Sequence, residues 1–372
     1  MNTLRHGSRA RFAAVGIVAS GALLIAGCGA SNEAAPSGGA GASTGPTVSG
    51  TIAGAGASSQ QAAQEAWIAN FTSANTGANI TYDPSGSGAG RTQFLGGGVA
   101  YAGSDAYLKP EELTQAQTRC GGDVVEVPAY VSPIAVIYNL QGVSNLQLAP
   151  ATIAQIFDRK ITKWNDPAIA ADNPGATLPD LAITPVNRSD KSGTTQNFAD
   201  YLKVAAGASW PYDVSDTWPV QGGEAAQGTS GVVGAVKAGN GAIGYADESQ
   251  AQDLGQATVK VGTTYVGPTA EAAAAVLEAS TRVDGQGQYA FAYKLARDTT
   301  ASGTYPIVLV SYLLACSKYP DAATADLVKA YLGYVISADG QSVAAQTAGA
   351  APLSDTLRTQ ITPAVVAIAA GS

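Results

Sequence analysis

Arg188-Ser189-Asp190-Lys191-Ser192-Gly193-Thr194-Thr195 decides how the rest of this chain reads. It follows a strand-like run, Leu181-Ala182-Ile183-Thr184-Pro185-Val186. It precedes a run in which Phe198, Tyr201 and Leu202 recur at helical spacing. Strand, short polar turn and helix start together build an anion site. The first amides of a helix have no partner of their own, and the macrodipole places partial positive charge there. Ser192 and Thr194 add hydroxyls, and Arg188 adds an always-charged, bidentate donor. Taken alone, the segment also fits a serine-capped surface helix with charges nearby.

The same pattern occurs twice more. Ile80-Thr81-Tyr82 runs into Ser85-Gly86-Ser87-Gly88-Ala89-Gly90 and then Arg91-Thr92-Gln93-Phe94-Leu95. Val48 to Ile52 reads as a strand leading into a turn, Gly54-Ala55-Gly56-Ala57-Ser58-Ser59. A helical pattern follows, with Ala63, Trp67, Ile68 and Phe71 on one side. Each turn places Ser or Thr where a helix begins, and two carry Gly that lets backbone approach a ligand closely. With 44 glycines in 372 residues, a lone Gly-x-Gly means little; the repeated architecture carries the information. No Gly-Lys dipeptide occurs, which excludes a P-loop, and Gly86-x-Gly88-x-Gly90 has the wrong spacing for a dinucleotide fingerprint.

The N-terminus reads as an address. Arg5, His6, Arg9 and Arg11 form a basic region, Phe12 to Ala26 an apolar one, and Ile25-Ala26-Gly27-Cys28 is the bacterial lipobox pattern. Residues 1–27 are therefore expected to be a lipoprotein signal peptide, with Cys28 lipidated and anchored at the extracytoplasmic face of the cell membrane. Residues 28–47 are mostly Gly, Ala, Ser and Pro, a flexible tether with a reach of roughly 25 Å. Removing Arg5, Arg9 and Arg11 from the 20 basic residues leaves 17 against 28 acidic ones, a net −11. Such a chain is not expected to bind nucleic acid, and its overall field repels anions. Any anion must be held by a local, preorganised site.

Beyond Cys28, only Cys120 and Cys316 remain. In an oxidising compartment they most simply pair, closing a loop worth roughly 4–5 kcal/mol in the chain-entropy model; the alternative is two separate buried thiols. His6 is the only histidine, so the mature chain offers no Ser–His triad, no Cys–His pair and no His-ligated metal site. No dense Asp-x-Asp-x-Asp run supports a hard-cation site. Catalytic residues, metals and cofactors are not expected.

These segments resemble the substrate-binding lipoproteins of the bacterial phosphate ABC importer, the PstS family, most closely its actinobacterial members. The markers run in order along the chain: Gly54-Ala55-Gly56-Ala57-Ser58, Gly86-Ser87-Gly88-Ala89-Gly90, Ala102-Gly103-Ser104-Asp105, Ile161-Thr162-Lys163-Trp164-Asn165, Arg188 to Thr195, Gly241-Ala242-Ile243-Gly244-Tyr245 and Cys316-Ser317-Lys318-Tyr319-Pro320. The resemblance implies an α/β, two-lobe type II periplasmic-binding-protein fold with two crossover hinge strands. Lobe one would be 48–133 plus 305–372, and lobe two 134–304. The crossovers would lie near Tyr130-Val131-Ser132-Pro133 and Gly303-Thr304-Tyr305-Pro306.

The resemblance also implies phosphate contacts at Ser87, Asp105, Arg188, Ser192, Gly193 and Thr194, with Asp190 pairing with Arg188. Ser58 and Ser59 of the first loop are implied as contacts too, although many members have Thr-Phe there. Asp105 makes chemical sense in an anion site because phosphate carries a proton at neutral pH that an ionised carboxylate accepts, whereas sulfate carries none. Read without the resemblance, Asp105 fits an N-cap to the segment starting at Ala106, or a surface charge. The four tryptophans, Trp67, Trp164, Trp210 and Trp218, read as packing residues. The implied partners are inorganic phosphate and a membrane-embedded ABC permease, with the protein a monomer. A non-transport surface phosphate sensor and a phosphatase-like protein are the alternatives on the same fold.

Overall fold

The computed structural model describes residues 47–251 and 253–371. The expected signal peptide, Cys28 and nearly all of the tether lie outside the described residues. Among the described residues no helix is long and apolar enough to cross a membrane.

Nine strands form one sheet. In chain order they are β1 (Ser49–Gly56), β2 (Gly77–Asp83), β3 (Tyr101–Ser104), β4 (Val124–Asn139), β5 (Thr184–Arg188), β6 (Glu224–Ala226), β7 (Ala242–Asp247), β8 (Gly255–Gln256) and β9 (Val308–Cys316). Their order is β2-β1-β3-β9-β4-β7-β5-β6, with β8 pairing to β4. The outer strands on both sides are parallel, β1 with β2 and β3, and β5 with β6 and β7. The two central strands, β4 and β9, run antiparallel to each other. Helices α1 (Gln61–Ala74), α2 (Ser87–Leu95), α3 (Pro110–Cys120), α4 (Gly193–Ala205) and α5 (Gly228–Ala238) cover the sheet. Parallel strands alternating with helices place helix starts at the carboxyl ends of strands, where α/β proteins bind ligands.

β4 is the frame of the molecule. Its 16 residues span about 50 Å, and all but the last are buried. A central strand covered on both faces reads as a continuous apolar run, as Val124 to Asn139 does. Proline normally avoids such a strand because it has no N–H to donate. Both prolines here sit at discontinuities. Pro128 borders a bulge, where the partner register jumps between Ser311 and Tyr312. Pro133 is where pairing changes partner: residues up to Pro133 pair with β9, and those from Ile134 pair with β7. The second passage, at residues 303–306, precedes β9, and Ile134 N–H donates to the Ile307 carbonyl at 2.7 Å. The later part of the 134–304 segment also returns to the first half of β4, with Ala290 bridging Glu126.

Two strand expectations shift. β1 runs through Gly54-Ala55-Gly56, which the sequence places in a turn. A methyl at Gly54 would lie 2.2 Å from the Tyr101 ring, and one at Gly56 would lie 1.9 Å from the Gly103 carbonyl oxygen. These glycines therefore serve close strand packing. The strand expected at 181–186 is observed at 184–188, because residues 181–183 pair instead with 162–164. The helical faces stand as expected: Trp67 and Phe71 are buried on α1, and Phe198, Tyr201 and Leu202 on α4. Trp67, Trp164 and Trp210 are buried, and the partly exposed Trp218 stacks over Phe198. Cys120 and Cys316 are joined as a disulfide, tying the end of α3 to the end of β9.

Glu126 is fully buried in β4. One carboxylate oxygen accepts from the Leu108 amide at 2.7 Å, and the other has no partner among the described residues. Burial pushes its carboxyl up from 4.5 to about 8. The folded state thus holds this proton more tightly than the unfolded chain does. That contribution to stability is complete below the unfolded value and is lost as pH rises through about 8. Glu126→Gln is expected to gain melting temperature relative to the parent as pH is raised across this window. Parallel melting temperatures at every pH would contradict the assignment.

Candidate functional site

Three loops expected to carry the site converge, and a fourth joins them. The turn after β1 ends in a single helical turn, Ser58–Gln60, that leads into α1. The turn after β2 ends at Ser87, the turn after β5 at Gly193, and the turn after β6 at Gly228, each the first residue of a helix. Four helix starts thus point into one cleft between the β1–β3 side and the β5–β7 side. Dipole ends of the same sign converge there, which favours an anion.

Asp105 lies at the centre, 3 % exposed. The N-cap alternative does not hold, because no helix starts at Ala106; the next one, α3, starts at Pro110. The carboxylate is instead ringed by hydroxyls. Ser59 Oγ lies 2.7 and 2.8 Å from its two oxygens, Ser311 Oγ donates at 2.7 Å, and Thr194 Oγ1 donates at 3.0 Å. Its amide donates to Ser87 Oγ at 3.1 Å. Its carbonyl accepts from Asn197 Nδ2. Burial raises the Asp105 carboxyl above its ordinary value, outweighing the hydroxyl donors and the charge of Arg188.

Arg188 closes the other side. It is buried at the end of β5, and Asp190 holds one edge of its guanidinium through Nε at 2.8 Å and a terminal nitrogen at 2.5 Å. Burial pushes the Asp190 carboxyl up, but Arg188 and the Gly228 amide outweigh this and hold it below its ordinary value. Asp190 therefore stays ionised and fixes the plane of the Arg188 fork, leaving its further N–H groups for an anion. Asp190 also accepts from the Gly228 amide at 3.0 Å. The adjacent Thr229 amide donates to Ser58 Oγ at 3.1 Å. Ser192 Oγ caps α4 by accepting from the Thr195 amide.

All eight expected residues therefore cluster around Asp105 and Arg188. Ser59, Ser87, Asp105, Gly193 and Thr194 meet directly. Ser58 and Arg188 are joined through Thr229, Gly228 and Asp190. Ser192 caps α4 beside them. Ser59, which stands where a phenylalanine is common, orients the carboxylate. Gly193 permits the closest approach: a methyl there would lie 2.7 Å from Ser87 Oγ and 2.8 Å from Asp105 Cβ.

Several contributors were not anticipated. Gly228-Thr229-Ser230-Gly231 repeats the strand, polar turn, helix pattern a fourth time, and that signal was present in the sequence. Ser311 carried none, being a single hydroxyl inside an apolar strand. It lies opposite the bulge that Ala129 makes in β4, and from there it donates to Asp105. Gln250, whose side-chain amide donates to the Ser58 carbonyl, was equally silent. Among the described residues no group of three or more metal-ligating side chains occurs.

Comparison with known proteins bears on family and fold. Residues 41–339 match the PBP superfamily domain. The chain is 37 % identical to the phosphate-binding protein PstS 3 of Mycobacterium leprae, covering 96 % of this chain and 98 % of that protein. It is 33 % identical to the phosphate-binding protein PstS of Xylella fastidiosa, over 81 % of this chain and 84 % of that one. In three dimensions it is similar to a high-affinity periplasmic phosphate-binding protein solved with phosphate at pH 8.5, with a TM-score of 0.70, 22 % identity, and coverage of 84 % and 93 % of the two chains.

Gly193→Ala is expected to wedge α4 away from Ser87 and Asp105 and hold the cleft wider. Small-angle scattering should show an increased radius of gyration with helix content unchanged. An unaltered scattering profile would contradict the close-approach role of Gly193.

Proposed function

We propose, on the premise that the chain belongs to the PstS phosphate-binding protein family of the PBP superfamily, that it captures inorganic phosphate outside the cytoplasm and delivers it to an ABC permease. The observation that carries this reading is the buried Asp105 carboxylate inside a cleft otherwise built from donors. Phosphate entering the cleft exchanges one hydrogen bond for another. A hydroxyl such as that of Thr194 turns from Asp105 to a phosphate oxygen, and the phosphate O–H takes its place on the carboxylate. The exchange leaves no buried group unpaired. Sulfate takes the hydroxyl and returns no proton, so Asp105 faces it as an unrelieved like charge.

In this reading Ser58, Ser59, Ser87, Asp105, Arg188, Ser192, Gly193 and Thr194 bind phosphate, and Thr229 joins them. Residues 48–133 with 305–372 form one lobe and 134–304 the other. They hinge where β4 changes partner at Pro133 and where the chain returns at 303–306. Lobe closure is the event the permease reads. Both cysteines of the disulfide belong to the first lobe, so it leaves the hinge free. Lipidation of Cys28 keeps the protein, as a monomer, at the extracytoplasmic membrane face. The site binds rather than hydrolyses: no histidine is available as a base, and the hydroxyls of Ser59 and Ser311 remain donors to Asp105.

Titration calorimetry on ligand-stripped protein tests this. Phosphate should bind at micromolar concentration or tighter at about pH 8 while sulfate gives no heat, and absence of phosphate binding by folded, verified-empty protein would sink the proposal. Asp105→Asn should raise sulfate affinity roughly tenfold or more, since an unpaired buried charge costs about 1–3 kcal/mol. Because the Asp105 carboxyl is raised, protonation sets in at higher pH than for an ordinary aspartate. Sulfate affinity of the parent should therefore rise as pH is lowered, starting above the range of an ordinary aspartate, and stay flat in Asp105→Asn. A flat profile in both would place discrimination elsewhere.

A further inference from the structure

Arg91 lies one turn into α2 beyond Ser87 and is 2 % exposed. Three groups share its guanidinium. Nε binds Glu112 at 2.9 Å, one terminal nitrogen donates to Ser104 Oγ at 3.2 Å, and the other binds Asp216 Oδ2 at 3.0 Å. Glu112 and Ser104 belong to the β1–β3 side, as Arg91 does. Asp216 belongs to the other side, in the irregular stretch between α4 and β6. The pair therefore spans the cleft, with both side chains largely withdrawn from water.

Each end of this bridge reaches the anion site. The Asp216 carbonyl accepts from the Ser192 amide at 2.8 Å, setting the residue that caps α4. Ser104 immediately precedes Asp105, and its hydroxyl bonds the amide and carbonyl of Ala106 just beyond it. One guanidinium thus braces the carboxylate on one wall and the helix start on the other.

We propose that Arg91 and Asp216 are a positioning pair that latches the closed cleft and sets the rate of phosphate release; the proposal rests on the phosphate-capture reading above. The physical argument is a difference between two states. In the closed cleft, Arg91→Gln leaves Asp216 buried without its cation, and Asp216→Asn exchanges a charged bond across the cleft for a neutral one while Arg91 keeps only Glu112; both changes are costly there. In the open cleft, water solvates whichever charge remains, so the same change costs little. Loss of either charge therefore destabilises the closed state selectively. Release accelerates, while association, which begins from the open state, is little changed. Neutralising both partners removes the uncompensated charge, so the double change costs less than the sum of the single ones.

Stopped-flow measurement of phosphate association and release tests the latch in the parent, Asp216→Asn, Arg91→Gln and the double variant. Asp216→Asn keeps the backbone contact to Ser192 and sits in an irregular segment, so it remains usable if Arg91→Gln does not fold. Expected are release rates raised roughly tenfold to a hundredfold in each single variant, association changed by less than about threefold, a double variant slower to release than the sum predicts, and an unchanged melting temperature without ligand. Phosphate binding by the parent with release from Asp216→Asn at the parental rate would overturn the latch and leave the capture reading standing. Lowered ligand-free melting with unchanged release would make the pair a fold element and equally overturn it. Failure of the parent to bind phosphate would instead remove the capture reading itself.

Discussion

A buried negative charge governs the architecture of this protein. Asp105 is almost wholly withdrawn from water, and a carboxylate in that setting persists only where donors surround it. Ser59 comes from the first helix start, Thr194 from the start of α4, and Ser311 from the central strand β9. These three elements must be brought together for the charge to be tolerated. The requirement joins the two sides of the cleft and ties both to the strands that run between them. An isolated helix start would have met no such demand.

The central strands make this coupling possible. β4 serves the first half of the sheet through β9 and the second half through β7, changing partner at Pro133. Proline is tolerated there because the ladder is already interrupted. The bulge at Ala129 of β4 interrupts the ladder near the site. Opposite it, Ser311 donates to Asp105, and its hydroxyl also accepts from the Gln60 side chain. The carboxylate is thus bonded directly to one of the two central strands.

Electrostatics divides between the far field and the near field. The sequence carries more acidic than basic residues, and at long range such a surface repels an anion. Within the cleft the balance is reversed by four helix starts, Arg188 and a set of hydroxyls. Asp190 and Asp105 show how environment separates two carboxyls of one site. Arg188 and the Gly228 amide overcome burial at Asp190 and keep it ionised as a brace. Burial wins at Asp105 and raises its carboxyl. One orients an arginine; the other is held by a ring of hydroxyls.

The sequence by itself determined the local units: strand, small polar turn and helix start at Ser58, Ser87 and Gly193, and the apolar faces at Trp67, Phe71, Phe198 and Tyr201. These are legible because turn chemistry and 3.6-residue periodicity act over a few neighbouring residues. The fourth unit, at Gly228-Thr229, had the same local signature and went unread among many glycines. Other features were decided by tertiary structure alone. Gly54 and Gly56 look like turn residues, yet Tyr101 and Gly103 on the neighbouring strand require them inside β1. Ser311 joins the site opposite a bulge, and Asp216 meets Arg91 across 125 residues of chain. Such contacts leave no mark in the surrounding sequence, because the partner that gives each residue its role is supplied by a distant segment only when the sheet is assembled.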